Sequence, residues 1–408
     1  MVIATLAIDA GALPLGGGLL ALVRPALLLL QPGGVLAVRS SAASVTHDLP
    51  SWCRVERHPY LGYEDGQHLI QRGSLGVPRG DREVGMRVIR DGKALAADVL
   101  RAAPMPDTAN TDTGFAPRGA RVEPGGPRYP FDLLSRDRVA PPEVAQLYDQ
   151  AVAAQWDATR DVPWSEIGEH DPALEAAVCQ VMTFLAENEL SALYVPSQFI
   201  ARIHPAYVET AMFLATQMAD ESRHIDVFLK RARGGGGGLG VSSVTTSRSL
   251  LSLLEYQDFT EAAFVLSVLG EGTFLDLLRF VEDHAPDKCT AEIARRTRND
   301  ESRHVHFGLA HVRHALSTDD RLFGRLESAV RRRAATLHDV GGVPAPVQDA
   351  LTMLAAGSTA PAAVARGHEA YRALLDTMHN ARMKRLERAG FTGEQAELMS
   401  TLHTANFM

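Results

Sequence analysis

Five residues, Asp220-Glu221-Ser222-Arg223-His224, recur as Asp300-Glu301-Ser302-Arg303-His304. In each copy a Glu and a His stand three positions apart, which makes them neighbours on one face of a helix. Each copy also has a glutamate one predicted helix upstream. Two Glu-x-x-His pairs and two lone glutamates converging inside a helical bundle form a donor set for two metal ions. Four carboxylates and two imidazoles suit iron or manganese, because carboxylates can bridge two ions and change mode, leaving positions open for dioxygen. Asp220 and Asp300 could accept a proton from a ligating His ring, and Arg223 and Arg303 would balance the local negative charge.

Periodicity selects the upstream ligands. On a helix over 172–196, Leu174, Val178, Val181, Leu185 and Ala192 form the apolar stripe, and Glu189 extends it four positions after Leu185. Glu187 lies with Gln180, Thr183 and Ser191 on the polar side and takes the reading of a solvated-face residue. Glu271 stands among Phe264, Val268, Phe274 and Leu275, where a carboxylate is costly unless paired or bound to a cation. Glu261 is about 15 Å further along at 1.5 Å per residue, too far to share the site. The two chosen separations agree closely, 221 − 189 = 32 and 301 − 271 = 30. A lone Glu-x-x-His is usually a surface pair; two copies with matched upstream carboxylates reverse that weighting. Glu189, Glu221 and His224 would hold one ion and Glu271, Glu301 and His304 the other, with Glu221 and Glu301 placed to bridge.

The elements that must position these residues are helices. The expected helices run over 144–156, 172–196 with Asp171 as N-cap, 207–233, 247–284, 291–317, 321–338, 347–354 and 361–389, and 392–408 reads as a short helix and tail packed back on the body. Asp220 to Asp300 is 80 positions, so a helix pair used twice builds the site. The run 234–238 is five glycines with no Lys-Ser/Thr after it, which reads as a linker and not a phosphate loop. Arg331-Arg332-Arg333 reads as a solvated face, Tyr194 as a core aromatic, and His311 as a packed or exposed helix histidine.

Residues 1–95 read as a small α/β domain: a strand over 1–8, a helix over 19–30, a strand over 35–40 and a short helix over 45–53. Residues 96–140, rich in Pro, Gly, Arg and Asp, read as a linker or wrap-around segment, and 141–408 as the helical bundle. The stretch Gln31-Pro32-Gly33-Gly34-Val35-Leu36-Ala37-Val38, then His47-Asp48-Leu49-Pro50-Ser51-Trp52-Cys53 and Glu56-Arg57-His58, resembles the TusA/SirA sulfur-carrier family. The family's persulfide-carrying Cys falls on or near Gly16 here, so no sulfur can be carried, and Cys53 reads as a packed core thiol. The resemblance implies a degenerate carrier fold kept as a docking or substrate-holding module.

The stretch 145–315 resembles the ferritin-like di-iron proteins, above all the hydroxylase subunits of bacterial multicomponent monooxygenases, which carry Asp-Glu-x-Arg-His twice in this order. Asn188-Glu189-Leu190-Ser191-Ala192 is similar to the context of their first lone Glu. Glu271-Gly272-Thr273-Phe274 resembles the ribonucleotide reductase small subunits, as do Gln155-Trp156-Asp157 and Val162-Pro163-Trp164 ahead of the bundle. Where the monooxygenases have an active-site Thr, this chain has Leu275; where the related arylamine N-oxygenases add a third His, it has Thr297. The resemblance implies a mainly α, ferritin-like bundle holding two Fe ions, or Mn/Fe, with O2 as co-substrate. It does not transfer a substrate.

Three function classes are open. The first is an oxygen-dependent di-iron enzyme that hydroxylates or N-oxygenates a small organic substrate, aromatic or amine, in the bundle interior. It would need an external reductase or ferredoxin, because the chain shows no flavin or nicotinamide motif. The second is a ferroxidase or iron-handling protein, and the third a non-catalytic partner-binding module. A formal net charge of −8 gives no reason to expect nucleic acid or an anionic membrane as partner. Cys53, Cys179 and Cys289 are odd in number and scattered, which argues against disulfides and for a reducing cytoplasm. The apolar run 19–30 is too short to span a bilayer and lacks the flanks of a signal peptide. A homodimer is compatible with all of this.

Overall fold

A computed structural model describes residues 3–74, 88–340 and 342–403. The chain divides into two compact units: Met1–Val84 with Asp112–Arg128, and Gly85–Thr111 with Tyr129–Met408.

The first unit is built on β1 (Leu6–Asp9), α1 (Leu19–Leu29), β2 (Val35–Arg39), α2 (Val45–Val55), β3 (Tyr60–Glu64) and β4 (Gln67–Gln71). The sheet order is β1-β2-β4-β3, with β1 parallel to β2 and the remaining pairs antiparallel. β2 is central and buried on both faces, which is why it reads as an unbroken apolar run. Leu36 and Val38 meet Val23, Leu27, Leu49 and Cys53 from the two helices, while Val35, Ala37 and Leu69 face the other way. The β3–β4 pair turns through Asp65 and Gly66, both at positive φ, the backbone that suits a tight hairpin. This hairpin was not foreseen, and the first strand begins later than expected; residues 1 and 2 of that expected strand lie outside the described residues. Cys53 is fully buried, and burial pushes its thiol up to about 12, as a packed core thiol requires.

The second unit is helical: α3 (Ala96–Arg101), α4 (Val144–Ala153), α5 (Pro172–Ile200), α6 (Val208–Gly234), α7 (Val244–Leu254), α8 (Phe259–Ala263), a π-helical segment (Phe264–Glu271), α9 (Gly272–Asp283), α10 (Lys288–Thr318), α11 (Leu322–Thr336), α12 (Ala345–Ala356), α13 (Pro361–Arg388) and α14 (Gly393–Leu402). α5 packs along α6, and the π segment and α9 pack along α10; α6 joins the two pairs by touching α10. α12 covers α5 and α13 covers α9. Asp171 caps α5 as expected, accepting from the Ala173 N–H. Thr392 and Gln395 form a reciprocal capping box at α14; residues 404–408 of the expected tail lie outside the described residues.

Several expectations are corrected. The single helix over 247–284 is broken at 255–258, where Asp258 caps α8 by accepting from the Thr260 and Glu261 N–H groups. The glycine run is not a free linker. It leads into a strap across the polar side of α5, where just after the run Gly240 N donates to Thr183 Oγ1 (2.8 Å) and Val241 N to Gln180 Oε1 (2.8 Å). A Cβ at Gly237 would stand 2.5 Å from Cys179 Sγ, so a glycine is needed there. Gln180 and Thr183 are therefore buried; Ser191 is also buried, and Glu187 is half-buried with its carboxyl raised by burial. Tyr194 is 57% exposed and is no core aromatic. Arg333 is 5% exposed and donates to Ser252 Oγ and Ser249 Oγ (both 2.9 Å), unlike Arg331 and Arg332 at the surface. Within 96–140, Ala109, Leu133, Val139 and Ala140 join the core of the helical unit. No described helix is long and apolar enough to cross a membrane.

Candidate metal centre

Four elements deliver the site. α5 carries Glu189; α6 carries Asp220, Glu221, Arg223 and His224; the π segment ends on Glu271; α10 carries Asp300, Glu301, Arg303 and His304. The wider turn of a π segment is uncommon and frequent at functional sites. Here it is apolar throughout except for Ser267 and the glutamate it presents. All six candidate ligands are almost completely buried.

Their donor atoms fall into two overlapping groups. Glu189, Glu221, His224 and Glu301 place one donor atom each within 4.8 Å of one another, and so do Glu221, Glu271, Glu301 and His304. Glu221 and Glu301 thus belong to both groups. His224 Nδ1 lies 3.2 Å from Glu221 Oε2, 3.2 Å from Glu301 Oε1 and 3.7 Å from Glu189 Oε1. His304 Nδ1 lies 3.0 Å from Glu221 Oε1 and 3.4 Å from Glu301 Oε2.

Behind the rings the two halves cross over. His224 Nε2 bonds Asp300 Oδ2 and His304 Nε2 bonds Asp220 Oδ2, both at 3.2 Å. Each aspartate thereby orients the histidine of the other repeat and leaves both Nδ1 atoms turned to the glutamates. Arg223 and Arg303 each bridge both aspartates, closing a square of two cations and two anions. Trp156 Nε1 donates to Asp300 Oδ2 (2.7 Å), Gln155 Nε2 donates to Asp220 Oδ1 (3.0 Å), and the Arg223 guanidinium lies over the Trp156 ring.

The electrostatics follow from burying four carboxylates together. Burial, reinforced by neighbouring carboxylates, pushes Glu189 and Glu271 well above the usual carboxylate range. Burial also opposes the charge on Glu221, but His304 and His224 outweigh it and hold that carboxyl low. Both imidazoles are raised well above their ordinary value, since Glu189 beside His224 and Glu221 beside His304 overcome the burial that would lower them. Burial likewise works against Asp220 and Asp300, yet the imidazole facing each holds both below the ordinary range.

The donor set fits a pair of cations on one direct observation. Among the described residues, Glu189 Oε1 and Glu271 Oε2 are buried with no hydrogen-bond partner, and Glu221 Oε1 and Glu301 Oε1 are buried with only an imidazole Nδ1 facing each, at 3.0 and 3.2 Å. Buried oxygens are rarely left in that state, and each is an atom a metal would take. Oxygen and imidazole donors with shared carboxylates suit iron or manganese better than a thiolate-loving ion.

Some residues of the site were not anticipated. Gln217 is buried on α6 and donates from Nε2 to Glu271 Oε1 (3.0 Å), and Ser267 also bonds that carboxylate. The spacing of Gln217, one turn before Glu221 on the same face, is the signal that could have found it. A narrow apolar cavity adjoins these two side chains, walled by Val195, Phe199, Leu214, Phe259, Leu266 and Phe307. His311 is fully buried, bonded to Thr260 Oγ1 (3.0 Å) and stacked on Phe307, away from the cluster. Thr297, one turn before Glu301, is buried with no partner for its hydroxyl, and Leu275 is half-buried.

No known family's sequence profile matches the chain, and no curated protein matches it. Among solved structures it is similar to a variant of an R2-like ligand-binding oxidase with aerobically reconstituted Mn/Fe cofactor. That likeness has 19% identity over 60% of this chain and 92% of the other, with a TM-score of 0.46. Another variant of such an oxidase, with aerobically reconstituted Fe/Fe cofactor, has 19% identity over the same shares of the two chains and a TM-score of 0.45.

Proposed function

We propose that this chain is a non-haem oxidase or oxygenase that holds two iron ions, or one manganese and one iron, and uses O2 to oxidise a small organic substrate. The observation that carries the reading is the double cluster: eight donor positions from six residues, with Glu221 and Glu301 common to both groups. Glu189, Glu221, His224 and Glu301 would hold one ion, and Glu221, Glu271, Glu301 and His304 the other. When bound, such a pair supplies the redox chemistry that O2 activation needs and that no protein side chain offers.

The chain's own residues supply orientation and dryness. Asp300 and Asp220 fix the two rings through Nε2, so that Nδ1 is the free donor on each. The imidazoles of His304 and His224 keep Asp220 and Asp300 ionised, with Arg223 and Arg303 adding to this at Asp300. Gln217 fixes one oxygen of Glu271 and leaves Oε2 free. Phe199, Phe259, Leu266 and Phe307 exclude water from the Glu271 side. The polar residues lining that cavity are Gln217 and Ser267, both engaged with Glu271, and no charged group lines it. This apolar wall beside Glu271 is in keeping with an apolar organic substrate, hydroxylated or N-oxygenated at the centre. Electrons would come from a separate reductase or ferredoxin, since the sequence carries no flavin or nicotinamide motif. The first unit, which resembles sulfur carriers but has Gly16 where the thiol belongs, would serve as a docking or substrate-holding module.

The test is oxygen uptake by the iron-loaded protein with a chemical reductant, against a panel of neutral aromatics, aliphatics and amines. Uptake stimulated by apolar substrates and coupled to a hydroxylated product is expected. Uptake that never depends on an organic substrate, with iron oxide accumulating instead, would overturn the reading in favour of iron handling.

A further inference from the structure

A second buried cluster of charge lies outside the carboxylate–imidazole centre, and it is cationic. Arg382 and Arg385 stand three apart on α13 and are 7% and 8% exposed. They press on the start of α9, where Gly272, Thr273 and Asp276 meet them. Asp276 pairs with Arg385 Nη1 (3.1 Å), so one carboxylate faces two guanidinium groups. Arg382 Nη1 reaches the Ser400 carbonyl (3.3 Å) and hydroxyl (3.2 Å), and its other nitrogens make only long contacts of 3.4 Å to Thr273 Oγ1. His403, buried at the end of α14, has no partner for Nε2 among the described residues, and burial first, with nearby Arg382, Arg333 and Arg385, keeps its ring neutral.

The unmatched atoms on Arg385 are Nε and Nη2, both buried. These two N–H groups form one edge of the guanidinium, the edge that grips two oxygens of a carboxylate or phosphate side by side. Gly272 makes the arrangement fit: a Cβ there would lie 2.7 Å from Arg385 Nε. A buried guanidinium with one edge unpaired, where the described residues offer one carboxylate to two guanidinium groups, is costly unless a ligand completes it. We infer that Arg385, with Arg382 and His403, forms a binding site for a small oxyanion of the phosphate or carboxylate class, between α9, α13 and α14. The site is independent of the metal centre, although Gly272 directly follows Glu271.

The experiment is thermal unfolding and calorimetric titration of the full chain with inorganic phosphate, with acetate, and with chloride at matched ionic strength. The site predicts a saturable rise in midpoint and a saturable heat with phosphate or acetate and neither with chloride. The tighter of the two identifies a phosphoryl or a carboxylate ligand. Arg385→Gln should weaken half-saturation at least tenfold. Arg385→Lys keeps the charge but loses the two-pronged edge, and should weaken it similarly if the glutamine variant does not fold. A response equal for all three anions, or unchanged in both variants, would overturn the inference, as would no saturable response at all.

Discussion

Asp300→Asn probes the square behind the metal centre most sharply. The Asp300 carboxylate accepts from His224 Nε2 (3.2 Å), Trp156 Nε1 (2.7 Å), Arg223 (2.9 Å) and Arg303 (2.6 Å). Asparagine keeps one acceptor oxygen but turns an N–H2 toward donors, and it leaves two guanidinium groups sharing Asp220 alone. Their side chains are 10% and 12% exposed, so solvent screens the imbalance little. Hydrogen bonds to charged groups contribute about 1.5–3 kcal/mol each, and removing one partner of a buried ion pair costs about 3–5 kcal/mol. The expected loss is therefore about 3–5 kcal/mol, a large share of the roughly 5–15 kcal/mol that holds a domain folded. In urea, with a slope of about 2–3 kcal/mol/M, the midpoint should fall by roughly 1–2 M. Trp156 reports the transition directly, since its own partner is removed. Arg303→Gln added to Asp300→Asn restores the balance of charge and should recover part of the loss. Affinity for Fe(II) should drop about 10–100-fold, because His224 loses the group that orients it. A variant within about 1 kcal/mol of the parent and with unchanged metal affinity would refute the reasoning about this square.

Further outcomes follow from single contacts. His311 is fully buried and its value is lowered from 6.5 to about 4, by burial first and by His314 second. Its neutral ring contributes stability that is intact above pH 6.5 and lost as pH falls toward 4, about 3 kcal/mol in all. His311→Gln should flatten that acid limb, and coincident pH profiles for both proteins would contradict this. Gly237→Ala drives a methyl against Cys179 Sγ and should cost about 1–3 kcal/mol in thermal unfolding; an unchanged midpoint would show that the strap is slack. Gly308→Ala puts a Cβ 2.6 Å from Ser267 Cβ. It should separate α10 from the π segment, lowering stability by a similar amount and reducing metal loading; full loading with a native midpoint would oppose this.

The chemistry was more legible than the frame. Glu-x-x-His at i and i+3 speaks for itself once it occurs twice, and Glu189 and Glu271 show themselves as carboxylates on apolar stripes. The crossing of Asp220 and Asp300 between repeats is a tertiary fact, invisible to local spacing. Trp156 lies 144 residues from Asp300 and outside any helix, so no periodicity connects them. The π segment reads as an ordinary apolar helix because its composition is that of one. The break before α8 did have a signal, Asp258 followed three positions later by Glu261, the pattern of a helix start. The burial of Arg333 and the packing of the glycine strap had none. A polar face of α5 covered by backbone looks the same in sequence as one covered by water.

The central claim is two metal ions held by two groups that share Glu221 and Glu301. The most direct measurement is metal content after anaerobic loading with Fe(II), for the parent chain beside Glu221→Ala, Glu301→Ala and Glu189→Ala. About two ions per chain are expected in the parent, with loss of both when either shared glutamate is removed and a smaller loss for Glu189→Ala, which touches one group only. Metal absent from the parent, or bound in stoichiometric amount regardless of Glu221 and Glu301, would contradict it.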